Sequence, residues 1–175
     1  YHLEDIINII NQYEPNVVGI SVLTTSAGVV YEISKKIRNR FPHIKIVMGN
    51  IHASLFSDDI LSEEYADFVV HGEGELTMLE LIKSLEKKGN LLEIKGLSYK
   101  RNGIIVNNGL RPHIADLDSL PFPSWDLFQL DKYSTDPRTE VKKGLVEMQI
   151  LATRGCPYHC TFCSSNKTRS LGSKY

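Results

Sequence analysis

Val17-Val18-Gly19-Ile20-Ser21-Val22 is a near-continuous apolar run, and Leu23-Thr24-Thr25-Ser26 crowds hydroxyls directly behind it. A strand with one wet face would alternate. This run does not, as expected of a strand covered on both faces in a parallel sheet. On either side of it the apolar period changes to that of a helix. Upstream, Leu3, Ile6, Ile7 and Ile10 share one helical face, and Pro15 follows the helix end. Downstream, Ser26 is placed to cap a helix whose Val29, Ile33, Ile37 and Phe41 form a stripe that stops before Pro42. Residues 44–48 and 68–71 are further strand-like runs. Behind the second, Gly72-Glu73-Gly74-Glu75 leads into a helix over about 76–88, with Leu79, Ile82 and Leu85 inward and Gly89 as its stop. Helices alternating with short apolar strands predict right-handed βαβ units and an α/β open parallel sheet. Such units begin with a strand and this chain begins with a helix, so the sheet is expected to be N-terminally truncated.

After Gly89 the pattern changes. Residues 94–99 and 104–107 are β-prone and flank Arg101-Asn102-Gly103, and Asn-Gly in that setting is a strong hairpin signal. From 109 to about 145 the chain is interrupted by Pro112, Pro121, Pro123 and Pro137. This is a linker, although Leu120, Phe122, Trp125, Leu127 and Phe128 make it adhesive enough to be expected to pack. Strand character returns over 146–152. The expected organisation is therefore an α/β domain over 1–108 ending in a hairpin, a linker over 109–145, and the opening of a second domain over 146–175.

Composition narrows the function classes. The 175 residues carry 20 Lys and Arg against 21 Asp and Glu, a net charge of −1. Nucleic acid is not an expected partner, and Lys35, Lys36, Arg38 and Arg40 read as a solvated helix face. No apolar run approaches membrane-spanning length and no leader is recognisable, so no membrane partner is expected. Three cysteines that do not make a disulfide framework imply a reducing, cytoplasmic setting.

Those cysteines lie within ten residues, Arg154-Gly155-Cys156-Pro157-Tyr158-His159-Cys160-Thr161-Phe162-Cys163. Their spacing, C-x-x-x-C-x-x-C, puts three thiolates on one short loop at the end of a strand. An iron–sulfur cube has four irons, so three cysteines leave one corner open to a small molecule. Structural zinc prefers four ligands, usually in two knuckles. Here there is one C-x-x-C and only His159 near enough to serve as a fourth.

Three further loops follow predicted strands: Ser21-Val22-Leu23-Thr24-Thr25-Ser26, Gly49-Asn50-Ile51-His52-Ala53-Ser54 and Gly72-Glu73-Gly74-Glu75. Ligands of doubly wound sheets bind beyond the C-terminal strand ends. Glycines there admit close approach and hydroxyls bond polar edges. Taken singly, Ser or Thr in such a loop is also a common helix cap, and paired glycine a common turn.

As a series, Val-Gly-Ile-Ser at 18–21, Gly-Asn-Ile-His at 49–52, Gly-Glu-Gly-Glu at 72–75, Asp-Leu-Asp-Ser-Leu-Pro at 116–121 and Arg-Gly-Cys-Pro at 154–157 resemble the cobalamin-dependent radical S-adenosylmethionine enzymes. The resemblance implies a Rossmann-like, flavodoxin-like cobalamin-binding domain followed by the first strand and cluster loop of a partial barrel. It implies Cys156, Cys160 and Cys163 as ligands of a 4Fe-4S cluster whose open iron chelates S-adenosylmethionine, with Phe162 against the adenine. It places Ser21, Leu23 and Thr24 along the nucleotide tail of cobalamin, Gly49 and Asn50 flanking that tail, and Gly72, Glu73 and Gly74 closing the crevice. Relatives usually carry Gly-Gly where this chain has Gly49-Asn50; Asn tolerates a left-handed backbone, so the turn is expected to survive. The Asp-x-His-x-x-Gly loop, whose histidine ligates cobalt in many cobalamin proteins, does not occur in the chain, and His52 is the nearest substitute. The implied chemistry is methyl transfer to an unactivated carbon of a small-molecule substrate, with an external electron donor of flavodoxin or ferredoxin type. Anaerobic oxidative cyclisation of magnesium-protoporphyrin monomethyl ester, on the same domain order, is the alternative within the class. A non-catalytic flavodoxin-like binding module with a structural zinc site is the alternative outside it. No catalytic acid, base or nucleophile is assigned.

Overall fold

A computed structural model describes residues 3–128, 153–156, 158 and 160–163. The chain divides into two compact units, the first comprising residues 1–113 and 158–174 and the second residues 114–157 with Tyr175. Among the described residues of the first unit, five strands form one mixed sheet in the order β1-β2-β3-β4-β5. The strands β1 (Val17–Ser21), β2 (Lys45–Gly49) and β3 (Phe68–Val70) run parallel. The hairpin β4 (Leu97–Arg101) and β5 (Ile104–Asn107) adds to the far edge antiparallel. The expected hairpin thus extends the sheet itself. Its two-residue turn holds Asn102 at φ 50° and Gly103 at φ 79°, both left-handed as a tight hairpin turn requires.

Helices α1 (Leu3–Tyr13), α2 (Ala27–Arg40), α3 (Asn50–Leu55) and α4 (Ser57–Ser62) contribute to one core, with Ile7, Ile10, Ile37, Ile46, Met48 and Val69 at its centre. The second core combines Leu81 of α5 (Glu75–Lys87) with Val47, Phe68, Val70, Leu97 and Tyr99. Successive residues of β2 and β3 therefore enter opposite cores, and these strands are covered on both sides. The same expectation fails for β1. It is an edge strand, half-buried at Val18 and Ile20 and exposed at Gly19. Its apolar run reflects the helices packed on one face, because α5 is the one described helix over the other core.

Two helix faces also depart from expectation. In α2 the buried residues are Ala27, Val30, Ser34 and Ile37, while Val29 is 66% exposed. In α5 they are Thr77 and Leu81, and Leu79 faces solvent. In both helices adjacent positions are apolar, and periodicity alone selected the neighbour 100° away. Lys88, at φ 52°, ends α5 in the left-handed position expected of Gly89, which instead donates its N–H to the Ser84 carbonyl at 2.8 Å. Ser26 makes no side-chain cap on α2; its hydroxyl donates to the Leu23 carbonyl at 3.1 Å. Asp67 braces the sheet from below, accepting from Arg38 at 2.9 Å, Lys45 at 3.2 Å and the Ile46 N–H at 2.9 Å.

In the second unit, the described residues hold short 3-10 turns at Leu117–Ser119 and Trp125–Leu127. Asp116 caps the first, accepting from the Asp118 N–H at 3.0 Å. Of the apolar residues expected to pack there, Phe122 is 95% and Leu127 79% exposed, whereas Trp125 is half-buried and meets Phe128 with ring centroids 5.9 Å apart. The strand expected over 146–152, Pro157 and His159 lie outside the described residues.

Candidate functional site

The C-terminal ends of β1 and β2 carry two loops that are joined to each other by four hydrogen bonds. The Val22 N–H donates to the Gly49 carbonyl at 3.0 Å, and the His52 N–H to the Val22 carbonyl at 3.3 Å. Asn50 Nδ2 donates to Ser21 Oγ at 2.9 Å, and His52 Nδ1 pairs with Thr24 Oγ1 at 3.1 Å. The second loop is not irregular beyond its turn; it is the first turn of α3. Asn50 makes this possible with a left-handed φ of 76°, and its Oδ1 accepts from the Ile51 N–H at 2.6 Å. The expected Asn-for-Gly tolerance is realised here. Ser21, Leu23 and Thr24 remain exposed along the outer rim.

Gly49 is extended, with φ −143° and ψ −171°, a conformation open to any residue. A Cβ there would meet nothing nearer than the Val70 carbonyl at 3.7 Å, an ordinary contact. Neither its backbone nor its packing among the described residues calls for glycine at this position. No described residue fills the space above it, and a glycine there admits a group that approaches the backbone closely.

His52 is only 7% exposed, and both ring nitrogens are committed, Nε2 to the Tyr31 hydroxyl at 2.8 Å and Nδ1 to Thr24. Tyr31 is itself stacked on Tyr65 at 4.1 Å between centroids, and burial raises its phenol above the ordinary value. A ring held at both nitrogens is a tether between α2, α3 and the Thr24 loop, and metal ligation would require breaking one of these bonds. Tyr31 was not singled out in the sequence, since nothing in a helical tyrosine 21 residues upstream marks it as a partner.

The third loop closes the row. Gly72 has a φ of 64°, and a Cβ on Gly74 would crowd Val70 Cγ1 at 3.3 Å. Glu73 is drawn to His113, Oε1 to Nδ1 3.4 Å. The segment bearing His113 is pinned to α5, with Arg111 Nε donating to Thr77 Oγ1 at 2.9 Å and its guanidinium paired with Glu80. Beneath the loop His71 is buried, its Nε2 against Ser98 Oγ at 2.8 Å. Burial pushes His71 below its ordinary pKa of 6.5, with Asp58 and the Ser54 carbonyl acting the other way.

The chain is similar to known proteins both in sequence and in fold. The B12 binding domain matches residues 1–82. Over 164 residues, 93% of this chain and 34% of the relative, the sequence is 39% identical to an uncharacterized methyltransferase of Pyrococcus horikoshii. It is 33% identical to the anaerobic magnesium-protoporphyrin IX monomethyl ester cyclase of a Synechocystis species, over 83% of this chain and 28% of that protein. The solved structure of OxsB, a cobalamin-dependent S-adenosylmethionine radical enzyme with aqua-cobalamin and S-adenosylmethionine bound, is similar with a TM-score of 0.56 and 28% identity, over 63% of this chain and 16% of OxsB. Over nearly its whole length the chain is similar to the cobalamin-dependent radical S-adenosylmethionine enzymes.

The chain spans about a third of the length of these curated relatives. Cys156 and Cys163 are half-buried and Cys160 exposed, none in a disulfide. Gly155 turns the chain at a φ of 95°, and the Cys163 N–H donates to the Cys160 carbonyl at 3.1 Å. Phe162 is 92% exposed. Among the described residues no three Cys, His, Asp or Glu side chains are gathered into a metal-binding group. The crevice residues Ser21, Thr24, Asn50 and His52 are thus brought together by the fold, whereas the cysteines are related by their spacing. No described helix is long and apolar enough to cross a membrane.

Proposed function

We propose that this chain supplies the cobalamin-binding crevice and the cluster loop of a radical S-adenosylmethionine methyltransferase. The observation that carries the cobalamin part is the unfilled space over Gly49 within two hydrogen-bonded loops. The Ser21 hydroxyl, already an acceptor for Asn50, keeps its proton for a ligand oxygen, and the exposed Thr24 and the Gly72–Gly74 backbone face polar groups from the two sides. Leu23, 49% exposed, offers the apolar contact. Because the loops are bonded before a ligand arrives, little ordering entropy is lost on binding.

The cysteine set fits an iron–sulfur cube by the chemistry of its donors: three thiolates suit three irons, and the fourth is left for S-adenosylmethionine. When bound, the two cofactors supply one-electron reduction and a transferable methyl group. The chain's residues hold the irons at Cys156, Cys160 and Cys163 and present Phe162 as an exposed ring for the adenine. A flavodoxin- or ferredoxin-type donor would provide the electron, in the cytoplasm. The relative named as a methyltransferase at 39% identity favours methyl transfer to a carbon of a small-molecule substrate. The cyclase at 33% identity keeps oxidative cyclisation as the second reading.

The test is anaerobic reconstitution of the chain with iron, sulfide and hydroxocobalamin. About four irons and one cobalamin per chain are expected. Gly49→Trp should lose cobalamin and keep iron, and Cys160→Ala should lose the cluster. A colourless protein holding stoichiometric zinc, or cobalamin binding indifferent to Gly49→Trp, would overturn the assignment.

A further inference from the structure

Thr24 is exposed on the rim of the crevice, and among the described residues its hydroxyl meets His52 Nδ1 alone, at 3.1 Å. What Thr24 can offer a ligand depends on which way that bond runs. If Nδ1 carries the ring proton, Thr24 accepts, and its own proton is left to point outward. If Nδ1 is bare, Thr24 donates inward and keeps only lone pairs for the ligand. The choice is made at the other ring nitrogen, because a neutral imidazole has one proton to place and the bond at one nitrogen sets the state of the other.

At that other nitrogen stands Tyr31, its hydroxyl 2.8 Å from Nε2. Among the described residues Nε2 is the one hydrogen-bond partner of this hydroxyl, so a ring that donated to it would leave the phenol proton without an acceptor in the protein. A phenol is also a better donor than acceptor, and a bare imidazole nitrogen is a better acceptor than a phenolic oxygen. Burial, with Tyr65 and Asp59 adding to it, raises the Tyr31 phenol above its ordinary value, so it keeps the proton it donates. Both rings are firmly placed. Tyr31 stacks on Tyr65 at 4.1 Å between centroids, and the buried His52 packs against Phe56 at 4.6 Å.

We propose that Tyr31 is a positioning residue of the crevice: it fixes the His52 ring proton on Nδ1 and so presents the Thr24 hydroxyl to the ligand as a hydrogen-bond donor. The inference rests on the cobalamin reading and adds the polarity of the rim to it. Ser21 is set the same way. Asn50 Oδ1 is taken by the Ile51 N–H, so its Nδ2 donates to Ser21 Oγ at 2.9 Å and Ser21 keeps its own proton. Two hydroxyls of one rim are thus donors, and the group they select is an oxygen that carries no hydrogen. Cobalamin has such oxygens in two places, the phosphodiester of its nucleotide tail and the carbonyls of its amide side chains.

The experiment has two arms. The first uses no ligand: nitrogen NMR of the histidine-labelled chain at mildly alkaline pH, with the His52 signals assigned by their loss in His52→Gln. The wild type should carry the proton on Nδ1. Tyr31→Phe, which keeps the ring stacked on Tyr65, should move it to Nε2, the nitrogen a free histidine prefers. A wild-type ring protonated at Nε2, or a tautomer indifferent to Tyr31→Phe, would overturn the proposal whether or not cobalamin binds. The second arm is equilibrium dialysis with hydroxocobalamin and with cobinamide, which lacks the nucleotide and its phosphodiester. Tyr31→Phe and Thr24→Val should each weaken hydroxocobalamin about fivefold, and the double variant should lose no more than either alone. A loss confined to hydroxocobalamin assigns the Thr24 donor to the phosphodiester; a loss shared by cobinamide assigns it to an amide carbonyl. Losses that multiply in the double variant would show that Tyr31 does not act through Thr24, and would refute the inference while leaving the cobalamin reading intact. A wild type that binds neither corrinoid would refute the cobalamin reading, and with it the ligand role given to Thr24, even with the ring proton on Nδ1.

Discussion

Asn50 adopts a backbone that costs a non-glycine residue roughly 1–2 kcal/mol. It recovers that cost through two side-chain hydrogen bonds, to Ser21 and from Ile51. Asn50→Ala keeps the strain and loses both bonds, and should destabilise the chain by about 2 kcal/mol. Asn50→Gly loses the bonds but also the strain and should be close to neutral. Urea unfolding of the pair decides it: an alanine variant as stable as the glycine one would show that the turn relaxes. The tolerance of Asn for this backbone was legible in the sequence. The bond to Ser21, 29 residues away, was not, because side-chain pairing across two loops leaves no local pattern. His52 illustrates the same limit, its place beside the crevice being readable and its commitment to Tyr31 and Thr24 not.

Among elements, those built from long apolar runs or special turn chemistry were readable: α1, β2, β3 and the Asn102-Gly103 hairpin. What escaped were α3 and α4, six residues each and too short to show a period, and the rotation of α2 and α5, where neighbouring apolar positions compete. The joining of the hairpin to β3 also left no local signal, yet it is what creates the buried His71–Ser98 bond, since Val69 and Val70 stand opposite Ser98 and Leu97. That bond has a pH signature. His71 is depressed below 6.5 in the folded chain by burial, so its full contribution is present above that value. As pH falls from there through the folded value, the unfolded chain takes up its proton first and stability is lost. Between about pH 7.5 and 5.5 the melting temperature of the wild type should therefore drop more than that of His71→Gln, which cannot titrate. Parallel pH profiles for the two proteins would mean that His71 contributes nothing to the slope.

On the scale of the whole molecule, every hydrogen bond described in the crevice joins residues of the first unit, from Ser21 to His113. The cysteine motif lies more than 40 residues further along the sequence, and none of the described crevice bonds uses it. If the crevice is complete in its own partners, cobalamin affinity should not depend on the cluster. Replacing Cys156, Cys160 and Cys163 together with Ala should abolish iron binding and leave the cobalamin dissociation constant within about twofold, the additivity expected of sites without shared partners. Gly49→Trp should do the reverse. Absorbance titration with hydroxocobalamin and iron analysis on the same samples read both arms. Loss of cobalamin affinity in the triple-cysteine variant, with the fold intact by circular dichroism, would mean that the crevice takes part of its grip from the cysteine loop. The two cofactor sites would then have to be treated as one.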